Sequence, residues 1–273
     1  MIAMLCTVCH SVMKQYGDLW ICSECEKTRE EVEMGSPLIS DEAVLEEIRK
    51  AEAMGQFIVH QKYSQEEHDR FTQVIKDFNA LYWQMAAQTW CNTKWRGIHV
   101  LKTPTDLWIY QELIAHLKPD LIIETGSYYG GSAYFMRDVM NLNAGGRIMT
   151  IDIDHSQLRI RVPGVEYIEG SSVSDETLLL VRAYIHAYGC QRVMVILDSA
   201  HDEAHVAKEL ELYAPLVSVG MPLIVEDTNN DPGPKAAVDN WFGTTRSCVF
   251  KRDFMCEKFM LTFNRDGFFE RIA

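Results

Sequence analysis

Short apolar runs, each closed by an acid and spaced by helix-length amphipathic stretches, set the rhythm of the second half of this chain. Leu121–Ile123 precede Glu124, Ile148–Ile151 precede Asp152, Val193–Leu197 precede Asp198, and Leu223–Val225 precede Glu226 and Asp227. Runs of that kind read as parallel strands buried on both faces. A further strand is expected around Val165–Ile168, and Met260–Phe263 reads as a closing strand before a turn at Asp266-Gly267. The stripe Leu107, Tyr110, Ile114 and Leu117, with Pro104 near its start, predicts a helix packed on the sheet. The fold class is therefore α/β, a Rossmann-like, doubly wound, mostly parallel sheet. In such sheets ligands sit at the carboxyl ends of the strands, where these acids fall.

Upstream the period is helical. Phe71, Val74, Phe78, Leu81, Tyr82 and Met85 make one stripe between Ser64 and Trp90, suited to a core or a subunit interface. Trp83, Trp90 and Trp95 are read as packing residues in preference to pocket walls. Ser40-Asp41 is a plausible helix start before residues 42–54, and Gly35-Ser-Pro37 marks a break. The expected domains are residues 1–35, a helical connection over 36–94, and a main domain over 95–273. Lys102 and Asp106, ahead of the first main strand, fit an active-site rim and a solvated turn equally well.

Composition narrows the classes. The 273 residues are 47% hydrophobic and 24% charged, as in an ordinary globular protein. A net charge of -13 argues against nucleic acid and against anionic membrane surfaces. No apolar run nears the ~20 residues of a membrane span, and no secretory leader is visible, so a cytoplasmic location is expected. The eight cysteines include Cys6-x-x-Cys9 and Cys22-x-x-Cys25, separated by twelve residues around the turn-like Tyr16-Gly-Asp18. That spacing predicts a zinc ribbon: two knuckles joined by a hairpin, with four thiolates closing a structural Zn²⁺ site. Residues 1–35 carry three basic side chains against six acidic ones, which suits a protein partner better than nucleic acid. Cys91, Cys190, Cys248 and Cys256 show no ligand spacing.

The candidate chemistry lies at the strand ends. Glu124-Thr125-Gly126-Ser127, with further glycines at 130 and 131, departs from the dinucleotide GxGxxG pattern. An acid beside that glycine turn suits the cationic centres of S-adenosylmethionine, which gives Glu124, Thr125, Gly126, Ser127 and Gly130 as cofactor residues. Asp152 is expected on the ribose hydroxyls, with Asp154 as the competing assignment, and Ser171 is expected near the adenine. Asp198, Glu226 and Asp227 offer hard oxygen ligands for Mg²⁺, with Asp198 also bordering the cofactor. A helix starting just after Asp198 would put His201 and His205 on its face, His201 placed as a general base. Residues 228–235 read as a polar rim with Asn229 or Asn230 near the metal.

Taken together, K102-T-P-T-D-L-W-I-Y-Q-E, I122-I-E-T-G-S-Y-Y-G-G-S-A, V195-I-L-D-S-A-H, L223-I-V-E-D-T and F259-M-L-T-F-N resemble the cephalosporin hydroxylase/rhamnosyl O-methyltransferase family, over roughly residues 95–271. The resemblance implies a class I, S-adenosylmethionine-dependent O-methyltransferase. It places Mg²⁺ on Asp198, Glu226 and Asp227, and, by likeness to macrolide-sugar O-methyltransferases, the base on His201. The acceptor implied is a sugar or glycosylated natural product, and self-association is the family habit. Two departures stand out. The family usually reads D-S-D-H-S where this chain has Asp198-Ser-Ala-His-Asp202, and the 228–235 loop is short. They motivate a second reading, a non-catalytic scaffold docked through its ribbon in a biosynthetic assembly.

Overall fold

The computed structural model describes residues 13–16, 19–22, 64–143, 145–244 and 247–273. The chain divides into two compact units, Met1–Ser64 and Gln65–Ala273. In the first, β1 (Met13–Tyr16) pairs antiparallel with β2 (Leu19–Cys22), Met13 opposite Cys22. This is a hairpin in the interval between the two CxxC pairs. Cys6, Cys9 and Cys25, like the helix expected over 42–54, lie outside the described residues.

The second unit opens with α1 (Gln65–Gln84), the ribbon pair β3 (Lys94–Trp95) and β4 (Ile98–His99), and α2 (Pro104–Leu117). There follow β5 (Leu121–Thr125), α3 (Gly131–Asn143), β6 (Arg147–Asp152), β7 (Val165–Glu169) and α4 (Asp175–Tyr188). The chain ends through β8 (Val193–Leu197), α5 (Glu203–Tyr213), β9 (Pro222–Val225), α6 (Pro232–Trp241), β10 (Phe250–Arg252) and β11 (Phe268–Arg271). The strands form one sheet in the order β10-β11-β9-β8-β5-β6-β7. Strands β7 to β9 run parallel, and β11 and β10 join antiparallel at one edge.

Alternate residues of each central strand feed two cores, as a period of two requires. Ile122, Ile148, Met194 and Ile196 pack under α2 and α3, whereas Ile123, Met149, Val195 and Leu197 pack under α5 and α6. Both faces are covered, which is why these strands are apolar without interruption. The chain winds outward from β5 through β6 to β7, then returns to β8 on β5's other side. The carboxyl ends of β5 and β8 are thus the switch point of the sheet.

Three expectations change. Met260–Phe263 is not a strand; β11 begins at Phe268, because Thr262, Phe263 and Asn264 turn inward to bond Asn79, Asp106 and each other. Helix α5 starts at Glu203, after Asp202, whose Oδ1 accepts from His205 N at 2.9 Å as an N-cap. Asp198 and His201 therefore precede the helix and do not share its face. The α1 stripe points outward: Val74, Phe78 and Leu81 are more than half exposed, and Asn79 is the buried residue among those described in that helix.

Candidate functional site at the switch point

Gly126 continues β5 directly beside Asp198, as the register Thr125 opposite Leu197 requires. Its φ is +89°, and a Cβ there would lie 1.7 Å from the Asp198 carbonyl oxygen. Only glycine fits. The turn that follows is held by Asp152 at the end of β6, whose Oδ2 accepts from Ser127 N and Tyr128 N at 2.9 Å each. The Oδ1 of Asp152 receives one longer bond, from Asp154 N at 3.3 Å, and is the oxygen left for a ligand. Asp154 is spent on Ser156 and does not line the cavity, whereas Asp152 does.

Beneath the turn, Thr150 Oγ1 donates to Glu124 Oε2 at 2.7 Å and meets Ser127 Oγ at 2.8 Å. Glu124 is fully buried, and burial pushes its carboxyl up to about 7 although Lys102 pulls the other way. A cavity of about 610 Å³ opens above these residues. Gly126, Ser127, Asp152, Ser171, Asp198 and His201 line it, whereas Glu124, Thr125 and Gly130 stand behind its wall. Thr125 instead braces Asp198, accepting its backbone N–H through both its carbonyl (3.0 Å) and its Oγ1 (3.2 Å).

The acid end is built on a buried cation. Lys102, 2% exposed, donates from Nζ to Asp198 Oδ2 and to Glu226 Oε1, 2.6 Å each. It is aimed there by the start of α2, where Thr103 caps the helix by accepting from Asp106 N and Pro104 follows. Tyr110, one and a half turns along, donates to the same Glu226 oxygen. Glu226 thus faces Lys102 and Tyr110 behind the cavity wall. Asp227 takes a left-handed backbone, φ 60°, at a cost of roughly 1–2 kcal/mol. That turns its carboxylate toward His201, with Oδ2 3.2 Å from Nε2. Buried Asn264 holds the strained residue, accepting from Asp227 N at 3.1 Å and donating to Tyr110.

His201 Nε2 lies 3.9 Å from Asp198 Oδ1, and its Nδ1 lies 3.4 Å from Asp231 Oδ2. Asp198 first, then Asp227 and Asp231, push the imidazole up to about 9 against partial burial. Burial, then the charges of Asp198 and Glu226, push the Asp227 carboxyl up to about 8. Asp198 is held below its usual range: burial opposes this, and Lys102 and His201 outweigh it. Ligand atoms of Asp198, His201 and Asp227 all lie within 4.8 Å of one another. Asp198 and Glu226 share one lysine, and the carboxylates of Asp198 and Asp227 converge on the cavity. That donor set fits one hard divalent cation.

Of the rim residues, Asn229 turns away to Asn79 and Thr262, and Asp231 is the one that reaches His201. His205 meets Ser172 and buried Glu209 instead of the acids. Tyr110 and Asn264 escaped the sequence reading as site residues, and Lys102, for which rim and solvated turn were even alternatives, is neither exposed nor in a plain turn but buried against the acids. A lysine and a tyrosine eight apart around a Pro-led helix start were the signal available. Of the three tryptophans, Trp83 and Trp90 line the cavity, while Trp95 packs on Phe135 and bonds Asp138.

Residues 87–272 match the family model described as Rhamnosyl O-methyltransferase/CmcI. The rhamnosyl O-methyltransferase of Mycobacterium leprae is 36% identical over 155 residues, covering 56% of this chain and 67% of that protein. That of Mycobacterium bovis is 33% identical over 170 residues, covering 58% and 69%. An apo-structure of CmcI superposes with a TM-score of 0.52 at 21% identity, over 67% of this chain and 77% of that one. A Mg-SAM structure of CmcI gives 0.50 at 20%, over 67% and 78%. The structural likenesses bear out the Rossmann-like fold. On the sequence match, the chain belongs to the rhamnosyl O-methyltransferase/CmcI family of S-adenosylmethionine-dependent O-methyltransferases.

Proposed function

We propose that this chain methylates a hydroxyl of a sugar or glycosylated natural product, with S-adenosylmethionine as donor and Mg²⁺ held between Asp198 and Asp227. The observation that carries this is the convergence of Asp198, His201 and Asp227 on the same cavity that the Gly126 turn and Asp152 line. The names of the mycobacterial relatives support a rhamnosyl acceptor. When bound, the sulfonium cofactor supplies the methyl group, and the cation makes a neighbouring hydroxyl more acidic.

The chain's own residues do the rest. Gly126, Ser127, Asp152 and Ser171 seat the cofactor, with Asp152 Oδ1 toward the ribose and Glu124, Thr125 and Gly130 shaping the turn from behind. Lys102 offsets the charges of Asp198 and Glu226 and fixes the Asp198 carboxylate at the end of β8. Glu226 completes the charge set. His201, oriented by Asp227 and Asp231, takes the acceptor proton. It holds a proton tightly while those carboxylates face it alone; a cation held by Asp198 and Asp227 would offset their charge and lower the proton affinity of the imidazole. Catalysis is mainly positioning.

In the first unit, Cys6, Cys9, Cys22 and Cys25 are proposed to hold structural Zn²⁺, supported by the hairpin between the pairs. Elemental analysis of the purified chain, with a Cys22→Ser control, tests this. No helix among the described residues is long and apolar enough to cross a membrane. The enzymatic reading is tested by incubating the full chain with methyl-labelled S-adenosylmethionine and a panel of glycosides, with mass detection. Label transferred to glycoside, and lost on chelation, is expected. Full activity in EDTA would remove the cation from the account.

A further inference from the structure

Helix α1 is fastened to the site by a buried amide and an aromatic cluster. Asn79, 3% exposed, donates to Met260 O at 2.8 Å and accepts at Oδ1 from Thr262 N (3.1 Å) and Asn229 Nδ2 (3.2 Å). These bonds pin the helix to the loop after β9 and to the segment before β11. One turn on, Trp83 lines the cavity with its ring stacked on Trp90, centroids 4.8 Å apart and planes 11° apart. Phe263 meets both rings edge-on at 5.0 and 5.6 Å. Trp90 Nε1 donates to Trp83 O at 3.1 Å, so that indole's polar atom is spent inside the protein and its carbon face is what remains for a ligand.

The strand order sets where this pair stands. Asp152 ends β6 and Asp227 follows β9, three strands apart, roughly 14 Å at ordinary strand spacing. The Gly126 turn and Asp152 lie at β5 and β6, whereas Phe263, which both indoles meet edge-on, adjoins the Asn264 that accepts from Asp227 N, so the aromatic pair borders the acid end. Among the described residues lining the cavity there is no Lys, Arg, Asn or Gln. Those are the side chains that grip phosphates or a densely hydroxylated sugar. Trp83 also stands outside the family match, which begins at residue 87.

We infer that Trp83 and Trp90 form the acceptor subsite, and that it takes a neutral deoxyhexosyl glycoside by its carbon face and refuses a phosphorylated sugar. The inference rests on the methyl transfer proposed above. Uncharged rings with few hydroxyls lose little on leaving water for an indole surface, whereas a diphosphate seated beside Trp83, Trp90 and Phe263 would lie against aromatic faces with no lysine or arginine in the described lining to pair it.

The test uses p-nitrophenyl α-L-rhamnopyranoside and thymidine diphosphate rhamnose as probes. Trp83→Ala and Trp83→Leu are expected to raise KM for the glycoside at least about tenfold with kcat changed less than about threefold. Trp83→Phe should recover most of the loss, and calorimetric S-adenosylmethionine affinity should stay at the wild-type value in all three. Only the neutral glycoside should be methylated. An unchanged KM in Trp83→Ala and Trp83→Leu with cofactor binding intact overturns the subsite. Equal use of the nucleotide sugar overturns the refusal of phosphate. A wild-type chain that binds cofactor yet methylates neither probe brings down the proposed function and this inference together.

Discussion

The two ends of the cavity are made of different material. At β5 and β6 the site is backbone: a left-handed glycine, two N–H groups on one Asp152 oxygen, a turn closed within a few residues. At β8 and β9 it is buried charge: a lysine from before α2 between acids 96 and 124 residues further on. The first end is fixed by local geometry and tolerates little change of shape. The second is fixed by electrostatic balance and tolerates little change of charge. That contrast says which substitutions should hurt catalysis, which should hurt folding, and which should do neither.

The largest effect belongs to the acid end. Asp198→Ala is expected to cut methyl transfer by roughly 10²–10³ or more, judged by single-group removals at preorganised electrostatic sites, while S-adenosylmethionine still binds by calorimetry. Near-normal turnover would sink the role given to that carboxylate. Lys102→Met follows. It strands Glu226 and Asp198 without their cation, and removal of one partner from a buried pair costs about 3–5 kcal/mol. Urea denaturation measures it, and a loss below 1 kcal/mol would mean that Lys102 is no keystone.

Glu124 sharpens the contrast from the cofactor end. Its carboxyl rises to about 7 in the folded chain from an ordinary 4.5. A raised acid contributes stability that is whole below the lower value and is lost as pH climbs through the upper one. Wild type should therefore lose up to about 3 kcal/mol relative to Glu124→Gln between pH 4.5 and 8. Parallel denaturation curves across that range check it, and parallel pH slopes would refute it. The smallest effect is expected at Asp202, whose carboxylate caps α5 by accepting from the backbone of His205. Asp202→Ala should cost about 1 kcal/mol by thermal melt and spare activity.

Much of this was readable in the chain. The strands announced themselves because burial on both faces leaves no polar positions in Val193–Leu197 or Leu121–Ile123. Asp198, Asp227 and Asp152 are legible as strand-end acids and His201 from a helix expected just after Asp198; all four line the cavity, although that helix begins only at Glu203. What failed had non-local causes. Lys102 could not be told apart as rim or solvated turn because its two acidic partners arrive through the sheet. Met260–Phe263 looked like a strand, yet its backbone N–H and C=O groups go to Asn79, Asp106 and Asn229. Asp202, one of the positions where the chain departs from the family's D-S-D-H-S, serves the helix after it. Trp83 and Trp90 read as packing because indole composition is the same in a core and in a pocket wall.

Asn79 carries one more consequence. A wall joined to the body by one buried amide and one aromatic cluster stands apart from the two cores of the sheet. On the proposed acceptor subsite, substitutions along the exposed face of α1 would reshape what is accepted while the sheet, the glycine turn and the acid cluster stay as they are. Acceptor choice and structural integrity would then be separately heritable, and drift in the one need not pass through loss of the other.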